Sequence, residues 1–326
     1  MLFRSNAGSG LTNREIFSLP YPTTRDFRNV LPFIPSVVQE PGGQIHVAGS
    51  ASYELLELLD GFNITHPVTG LLDLRISPDS IRRIDLQTSR YSAEFGKGAG
   101  GVLRLESGMG DDRFRFLATN FLPGFEVKSG VHPSAWPPRF TLSGPIRKGK
   151  AWFFEGIGAE YDFNINPDLP KGADRNPEWR IDSLSKVQWN PSQGNILTGS
   201  FLVNEGKAER VGLSRFTPLG STTDDSHSNF VISLLDSAYL GNKTLLQAGI
   251  AVAEFQSDST PRGALPFVLR PEGASGSFFK TSKSRSRRVQ GLVNAFFPPA
   301  EWHGRHEFKV GAGIEAITYQ IGRAHV

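Results

Sequence analysis

The chain contains no cysteine and only two methionines among its 326 residues. A disulfide scaffold, a thiolate metal site and a cysteine nucleophile are therefore excluded. The compartment stays open, although a cysteine-free chain is compatible with an oxidising periplasm or cell surface. No apolar run approaches the ~18 residues that a membrane-spanning helix needs. A β-barrel escapes that test, because its strands are short and only alternately apolar. An excess of charge of one sign is missing too: 35 basic against 32 acidic residues leave +3. That is too little over this length to point to nucleic acid. The opening MLFRSNAGSG lacks the long apolar core of a secretory signal.

Glycine (35), proline (22) and phenylalanine (24) are plentiful, a profile that suits a turn-rich β protein better than a helical one. The two ends are unusual in another way. MLFRS and IGRAHV can be encoded by the two complementary strands of one short oligonucleotide, as read-through of a sequencing adapter would leave them. Residues 1–5 and 321–326 are accordingly expected to be artefact, with a native sequence from Asn6 to Gln320 cut at both ends.

The first hundred residues read as a compact mixed domain. In TRDFRNVLPFI (24–34), Phe27, Val30, Leu31 and Ile34 recur at helical spacing, and Pro32 and Pro35 limit the length. QIHVAG (44–49) is a short strand candidate. LLELLDGFNI (55–64) sets Asp60-Gly61 between apolar runs, a hairpin signal, while Leu55, Leu58 and Leu59 also share a helical face. In SPDSIRRIDLQT (77–88), Ser77 suits an N-cap and Pro78 a first helical position, with a strand after them. Four glycines then crowd RYSAEFGKGAGGVLRLES (90–107), which ends in a strand with Leu103 and Leu105 on one side.

Beyond Gly108 strand candidates recur with little helical pattern between them. Nine are expected: 112–122, 137–146, 149–161, 180–190, 194–205, 228–240, 243–256, 285–297 and 305–320. They exceed the ~5–6 residues of globular strands. Several alternate cleanly: Phe230, Ile232 and Leu234 oppose Asn229 and Ser233, and Leu246, Ala248, Ile250 and Val252 oppose Gln247, Gly249 and Ala251. Alternation alone suits a soluble sandwich equally well. The connections discriminate further. Short IRKG, NPSQG, LGNK and PPAEWHG interleave with long 123–136, 162–179, 206–227 and 257–284, the pattern of an outer-membrane barrel with long loops outside and short periplasmic turns.

LLDGFNITHPVTG followed by SPDSIRRIDLQTSRYSAEFGKGAGGVLRLES resembles the plug domain of TonB-dependent outer-membrane transporters, and most of all the large Oar-like receptors. The motifs cover about residues 13 to 110, and the strand rhythm extends the resemblance to 320. RLESGMGDD departs from the family's lysine-containing close, which leaves the plug-to-barrel link less well defined. The resemblance implies a transmembrane antiparallel β-barrel, present here as about nine strands, preceded by a small α/β plug domain. The expected organisation is a leader at 1–12, a plug at 13–108 and the N-terminal part of the barrel at 109–320. It implies a bacterial outer-membrane location, capture of a scarce extracellular solute, and import to the periplasm on inner-membrane energy. Implied partners are a TonB-ExbB-ExbD type complex acting through an N-terminal box not visible in this sequence, outer-membrane lipid and lipopolysaccharide, and a small solute, oligosaccharide, peptide or metal chelate. No nucleic acid, cofactor or metal is expected. An adhesion or structural protein on the same scaffold, and a soluble β-rich surface-binding protein, remain as alternatives.

Asp60, Gly61, Gly96, Gly98, Gly100 and Gly101 are expected to form a structural motif of the plug, allowing positive φ and close backbone approach. A nucleotide site fails there: a P-loop needs Ser or Thr after its lysine, but Lys97 precedes glycine, and a strand follows where a dinucleotide fold needs a helix. Asp60 is explained by its turn, and no nucleophile, base and orienter assemble, so no enzyme is expected. His303 and His306 read as a solvated turn, and His46 and His66 as surface residues of the plug region. KTSKSRSRR (280–288) reads as the base of an external loop, with attraction to lipopolysaccharide as the functional alternative. Trp136, Trp152, Trp179 and Trp189 sit near expected strand ends, where an aromatic girdle would lie. Nine strands also leave two unpaired edges, so the chain expressed alone is expected to aggregate.

Overall fold

A computed structural model describes residues 8–20, 26–40, 43–88, 91, 95–96, 98–127, 130–133, 135–241 and 243–325. The expected artefact at 1–5, Lys97 and Val326 lie outside them. Two sheets dominate. The first joins β1 (Gly8–Thr12), β2 (Leu55–Leu59), β3 (Phe62–Asn63), β4 (Ile81–Gln87) and β5 (Gly101–Ser107) in the order β1-β4-β5-β2-β3. All neighbours are antiparallel except β2 and β5, which run parallel. Helix α1 (Asn13–Ser18) follows β1 and drives Ile16 fully into the core.

The helical spacing at 27–34 is realised as a single 3-10 segment, Phe27–Phe33, with Pro32 inside it. Phe27, Val30, Leu31 and Ile34 are all buried, so the apolar face read from the sequence is the face that packs. The 55–64 ambiguity resolves as a hairpin: Leu59 pairs with Phe62, leaving Asp60 (φ 50°) and Gly61 (φ 94°) as its two-residue turn. Left-handed backbone at both positions is what a tight turn between twisted strands requires. Ser77 precedes a 3-10 turn, Pro78–Ser80, as expected, but its hydroxyl makes no cap bond. Its backbone N–H donates instead to Asp182 at 3.2 Å.

The second sheet holds all nine expected strands: β6 (Arg115–Thr119), β7 (Arg139–Arg147), β8 (Ala151–Ile165), β9 (Arg175–Ser192), β10 (Asn195–Val211), β11 (Thr223–Tyr239), β12 (Leu245–Pro261), β13 (Lys280–Phe296) and β14 (Lys309–His325). They pair antiparallel in chain order as one continuous wall, with β6 and β14 at its edges. A sandwich would have divided them between two facing sheets. Most strands run further than the sequence suggested, because the ladders continue through polar residues; Ile165 still pairs with Arg175, and Thr223 with Pro261. Three of the four long connections shrink, to 166–174, 212–222 and 262–279, while 123–136 widens to 120–138, and KTSKSRSRR becomes part of strand β13 instead of a loop base. Among the turns at the opposite end, 297–308 is the long one and carries its own small hairpin.

Alternation sorts the two faces of the wall. Ile232, Leu234, Ile250 and Val293 point outward and are exposed, as an apolar lipid-facing band requires. The inward face is mostly polar, with one exception. Leu184, Leu202, Val231 and Ala253 lie opposite one another on four successive strands, and all four are buried. This apolar stripe, extended by Phe154 and Phe255, belongs to the same core as the first sheet. The first sheet is thus a stopper seated on the wall, each buried leucine contributing about 1.5–3 kcal/mol.

Candidate functional site

A ribbon of plug residues from Asp60 to Asp79 runs along the inner wall, and polar groups meet at every step. The Asp60 carboxylate accepts from the backbone N–H of Ser107 at 3.0 Å and from the Ser107 hydroxyl. Lys186 of β9 donates to both Asp60 (3.0 Å) and Ser107 (2.8 Å). Turn formation therefore does not fully explain Asp60; it also ties plug to wall. Further along, Asn63 exchanges two backbone bonds with the Gln290 amide (3.0 and 2.7 Å), and Arg75 does the same with Asn204 (2.7 and 2.9 Å). The Arg75 guanidinium pairs with Glu160 and Asp182, and Asp79 with Arg139 at 2.8 Å. No motif marks these wall residues in the sequence. Their only signal is a charged or amide side chain at alternate positions of an otherwise ordinary strand.

The glycines of the expected motif divide by geometry. Gly98 (φ 100°) lies so close to its surroundings that a Cβ would stand 2.6 Å from the Gly101 carbonyl oxygen and 2.8 Å from the Leu56 Cβ. Gly101 (φ 136°) would meet the Gln87 carbonyl at 2.8 Å, and Gly100 would collide with the Ser50 side chain. Gly61 needs its positive φ but has open space around it. Gly96 meets neither condition: its φ is not left-handed and nothing among the described residues approaches within 4 Å. It is a glycine in open space, so steric need does not account for it.

His66 corrects the surface reading. It sits where the plug loop meets the wall, its ring 4.9 Å from Phe255 of β12. Its Nδ1 accepts from the N–H groups of Val68 and Thr69 (3.2 and 3.1 Å), which places the ring proton on Nε2, facing Ser286 at 3.3 Å. Burial holds its pKa below the usual histidine range, since a cation would lose solvation there. Beside it Asp73 opens toward the same space, its pKa pushed up first by burial. Among the described residues no hydrogen bond reaches the Asp73 carboxylate. A cavity of ≈ 270 Å³ lies between this loop and the wall, closed by His227, Asn229, Gln256, Ser257 and Ser284. His227 packs against Gly206, where a Cβ would overlap its ring. The pocket was missed because its members come from four separate segments.

Other expected residues sit elsewhere. His46 bridges the Ser50 carbonyl (2.9 Å) and Glu40 (2.8 Å), a structural tie, and His306 contacts the Trp302 carbonyl at 2.7 Å in an exposed turn. Of the basic run, Arg288 turns inward to the Thr65 carbonyl, whereas Arg285 and Arg287 face outward around Glu254. Trp179 and Trp189 face outward, while Trp152 points to Asp112 (2.7 Å) and Trp136 to the Asn120 carbonyl (2.9 Å). The outer connections 212–222 and 262–279 interlock, with Ser221 donating to the Gly276 carbonyl (2.7 Å) and Ala274 to that of Phe216 (2.6 Å).

No family model matches the chain. In sequence it is 27% identical, over an alignment of 414 positions, to the TonB-dependent transporter Oar of Myxococcus xanthus, covering 93% of this chain and 38% of that protein. In structure it matches the outer membrane transporter YddB of Escherichia coli (TM-score 0.72, 12% identity, 98% of this chain and 55% of that one). It also matches the siderophore receptor PirA of Acinetobacter baumannii (TM-score 0.69, 17% identity, 96% and 48%). The chain has the fold shared by these structures, a small plug domain seated on the opening wall of a transmembrane β-barrel. Its sequence is Oar-like, and it spans well under half of the curated relative and about half of these solved structures.

Proposed function

We propose that this chain supplies the plug and the opening wall of a transporter in the bacterial outer membrane. The protein containing it binds a scarce extracellular solute and passes it to the periplasm. Energy comes from the inner membrane through a TonB-ExbB-ExbD type complex. The observation that carries this reading is the seating of the plug: a separate five-stranded sheet is held against the wall by the Asp60, Asn63, Arg75 and Asp79 contacts. Polar bonds of this kind exchange for water without a large net change, so a stopper so held can be displaced and reseated. The pocket at His66 and Asp73 lies at the plug-to-wall contact, and the interlocked outer connections stand as a first capture surface. The relatives are transporters and receptors, in keeping with a role that needs no catalytic site.

The test is uptake in a strain lacking the complete gene and in one carrying it back. Energised, protonophore-sensitive import of a labelled solute should return with the gene. Unchanged uptake of every solute that the wild type imports would leave adhesion or scaffolding as the role.

A further inference from the structure

We infer that the pocket between the plug loop and the wall takes a neutral, polyhydroxylated solute, a mono- or disaccharide or the end of a longer glycan. The inference rests on the solute-receptor reading and names its class of solute.

Charge narrows the class first. No lysine or arginine lines the cavity, and its one acid is Asp73. The nearest guanidinium groups are committed elsewhere: Arg288 to Thr65 and Glu315, Arg75 to Glu160 and Asp182, Arg28 to Asp26. A polyanionic chelate would bring its charge against a carboxylate with no cation to receive it, which selects against it. A polyvalent cation fares little better, because Asp73 is the one carboxylate that the lining offers it.

Hydrogen bonding narrows it further. Asp73 offers open acceptor oxygens, His227 a ring nitrogen of either role, and Ser257 and Ser284 hydroxyls that both donate and accept. A hydroxyl both gives and takes, so a ring bearing several satisfies such a mixed lining, where an apolar ligand would leave it unpaired. The paired rings of His66 and Phe255 provide the apolar side against which the C–H face of a sugar packs. A volume of ≈ 270 Å³ falls just below the usual span of ligand pockets, roughly 300–1,000 Å³, which suits a single ring or the end of a longer chain of them.

The experiment uses the full-length receptor in detergent micelles, titrated by calorimetry with maltose, cellobiose, sucrose, ferric citrate and spermidine. At least one of the three sugars should bind, with little dependence on salt. Asp73→Asn and His227→Ala should each weaken that binding tenfold or more, while Arg305→Ala, in the exposed 297–308 turn at the opposite end of the wall, leaves it unchanged. Heat-modifiable gel migration confirms that each variant is folded. Binding of ferric citrate or spermidine alone, binding of no probe, or sugar binding indifferent to both pocket variants would overturn the inference. Import of the bound sugar by cells is scored separately. Binding that the pocket variants abolish, without any import, supports the pocket and defeats the transport reading; import indifferent to those variants does the reverse.

Discussion

Lys186, on the inner face of the wall, holds its ammonium 3.0 Å from the carboxylate of Asp60, in the turn between two plug strands 126 residues earlier. Their side chains are 8% and 15% exposed, so neither charge is shared with bulk water. Removing one partner of a buried pair typically costs about 3–5 kcal/mol, because the other charge is left alone. Lys186→Met in the full-length receptor should therefore loosen the plug by that order, read as the urea concentration at which plug sites become protease-sensitive. Asp60→Asn with Lys186→Met should cost less than the sum of the two single changes. Simple additivity would show that the contact carries no coupling.

The glycines of 96–101 predict a graded series. Gly98→Ala combines left-handed backbone with contacts under 3 Å and should destabilise the plug by roughly 1–3 kcal/mol. Gly96→Ala meets open space and should stay within about 0.5 kcal/mol of the parent. Equal losses at both positions, measured by the same protease protection, would refute the steric account.

Glu57 of β2 is 4% exposed, and its Oε2 has no hydrogen-bond partner among the described residues. Burial pushes its pKa well above 4.5, with Arg28 opposing and Asp73 adding to the shift. The folded plug thus binds a proton that the unfolded chain gives up. The stabilisation from this group is complete below its unfolded value and is lost as pH rises through the folded one. Plug stability should fall with pH across that window, and Glu57→Gln should flatten the fall while raising stability at neutral pH. A variant with the parent's slope would reassign the dependence to another group.

Trp179 and Trp189 are 39% and 50% exposed on the outward face. In vesicles containing brominated lipid their fluorescence should be quenched, and replacing both by phenylalanine should remove most of the quenching. Quenching that survives the replacement would place the lipid boundary elsewhere on the wall.

β6 and β14 each have one partner in the nine-stranded wall. Expressed alone, the 326-residue chain should aggregate, since open ladders recruit further strands and cannot remain unpaired against lipid. A monodisperse peak in size-exclusion chromatography would contradict this.

The wall was legible in the sequence because several of its strands alternate with a fixed period of two, and short and long connections space all nine. Their ends were not. Polar residues such as Asp224, Ser226 and Lys283 continue the ladders without any apolar signal. The buried stripe was hidden for a related reason. Leu184 and Leu202 sit among polar inward neighbours, and only the cross-strand register lines them up. The Asp60-Gly61 turn could be read locally, because two left-handed residues leave a composition mark. The partnership of Asp60 with Lys186 could not, being created by the docking of one sheet on another. The pocket shares that origin: His66, Asp73, His227 and Gln256 acquire a common purpose only once the loop meets the wall.

β1 occupies the margin of the plug sheet and, among the described strands, pairs with β4 alone, through five residue pairs from Gly8–Gln87 to Thr12–Arg83. Mechanical load arriving from the amino-terminal side meets this short seam first. Its rupture undoes a single ladder and leaves β4, β5, β2 and β3 in order. The next resistance is Ile16, which must be drawn out of the apolar interior. The stopper is therefore built to yield in stages, a weak seam ahead of a firm anchor, and a tug too small to free that anchor lets the strand zip back.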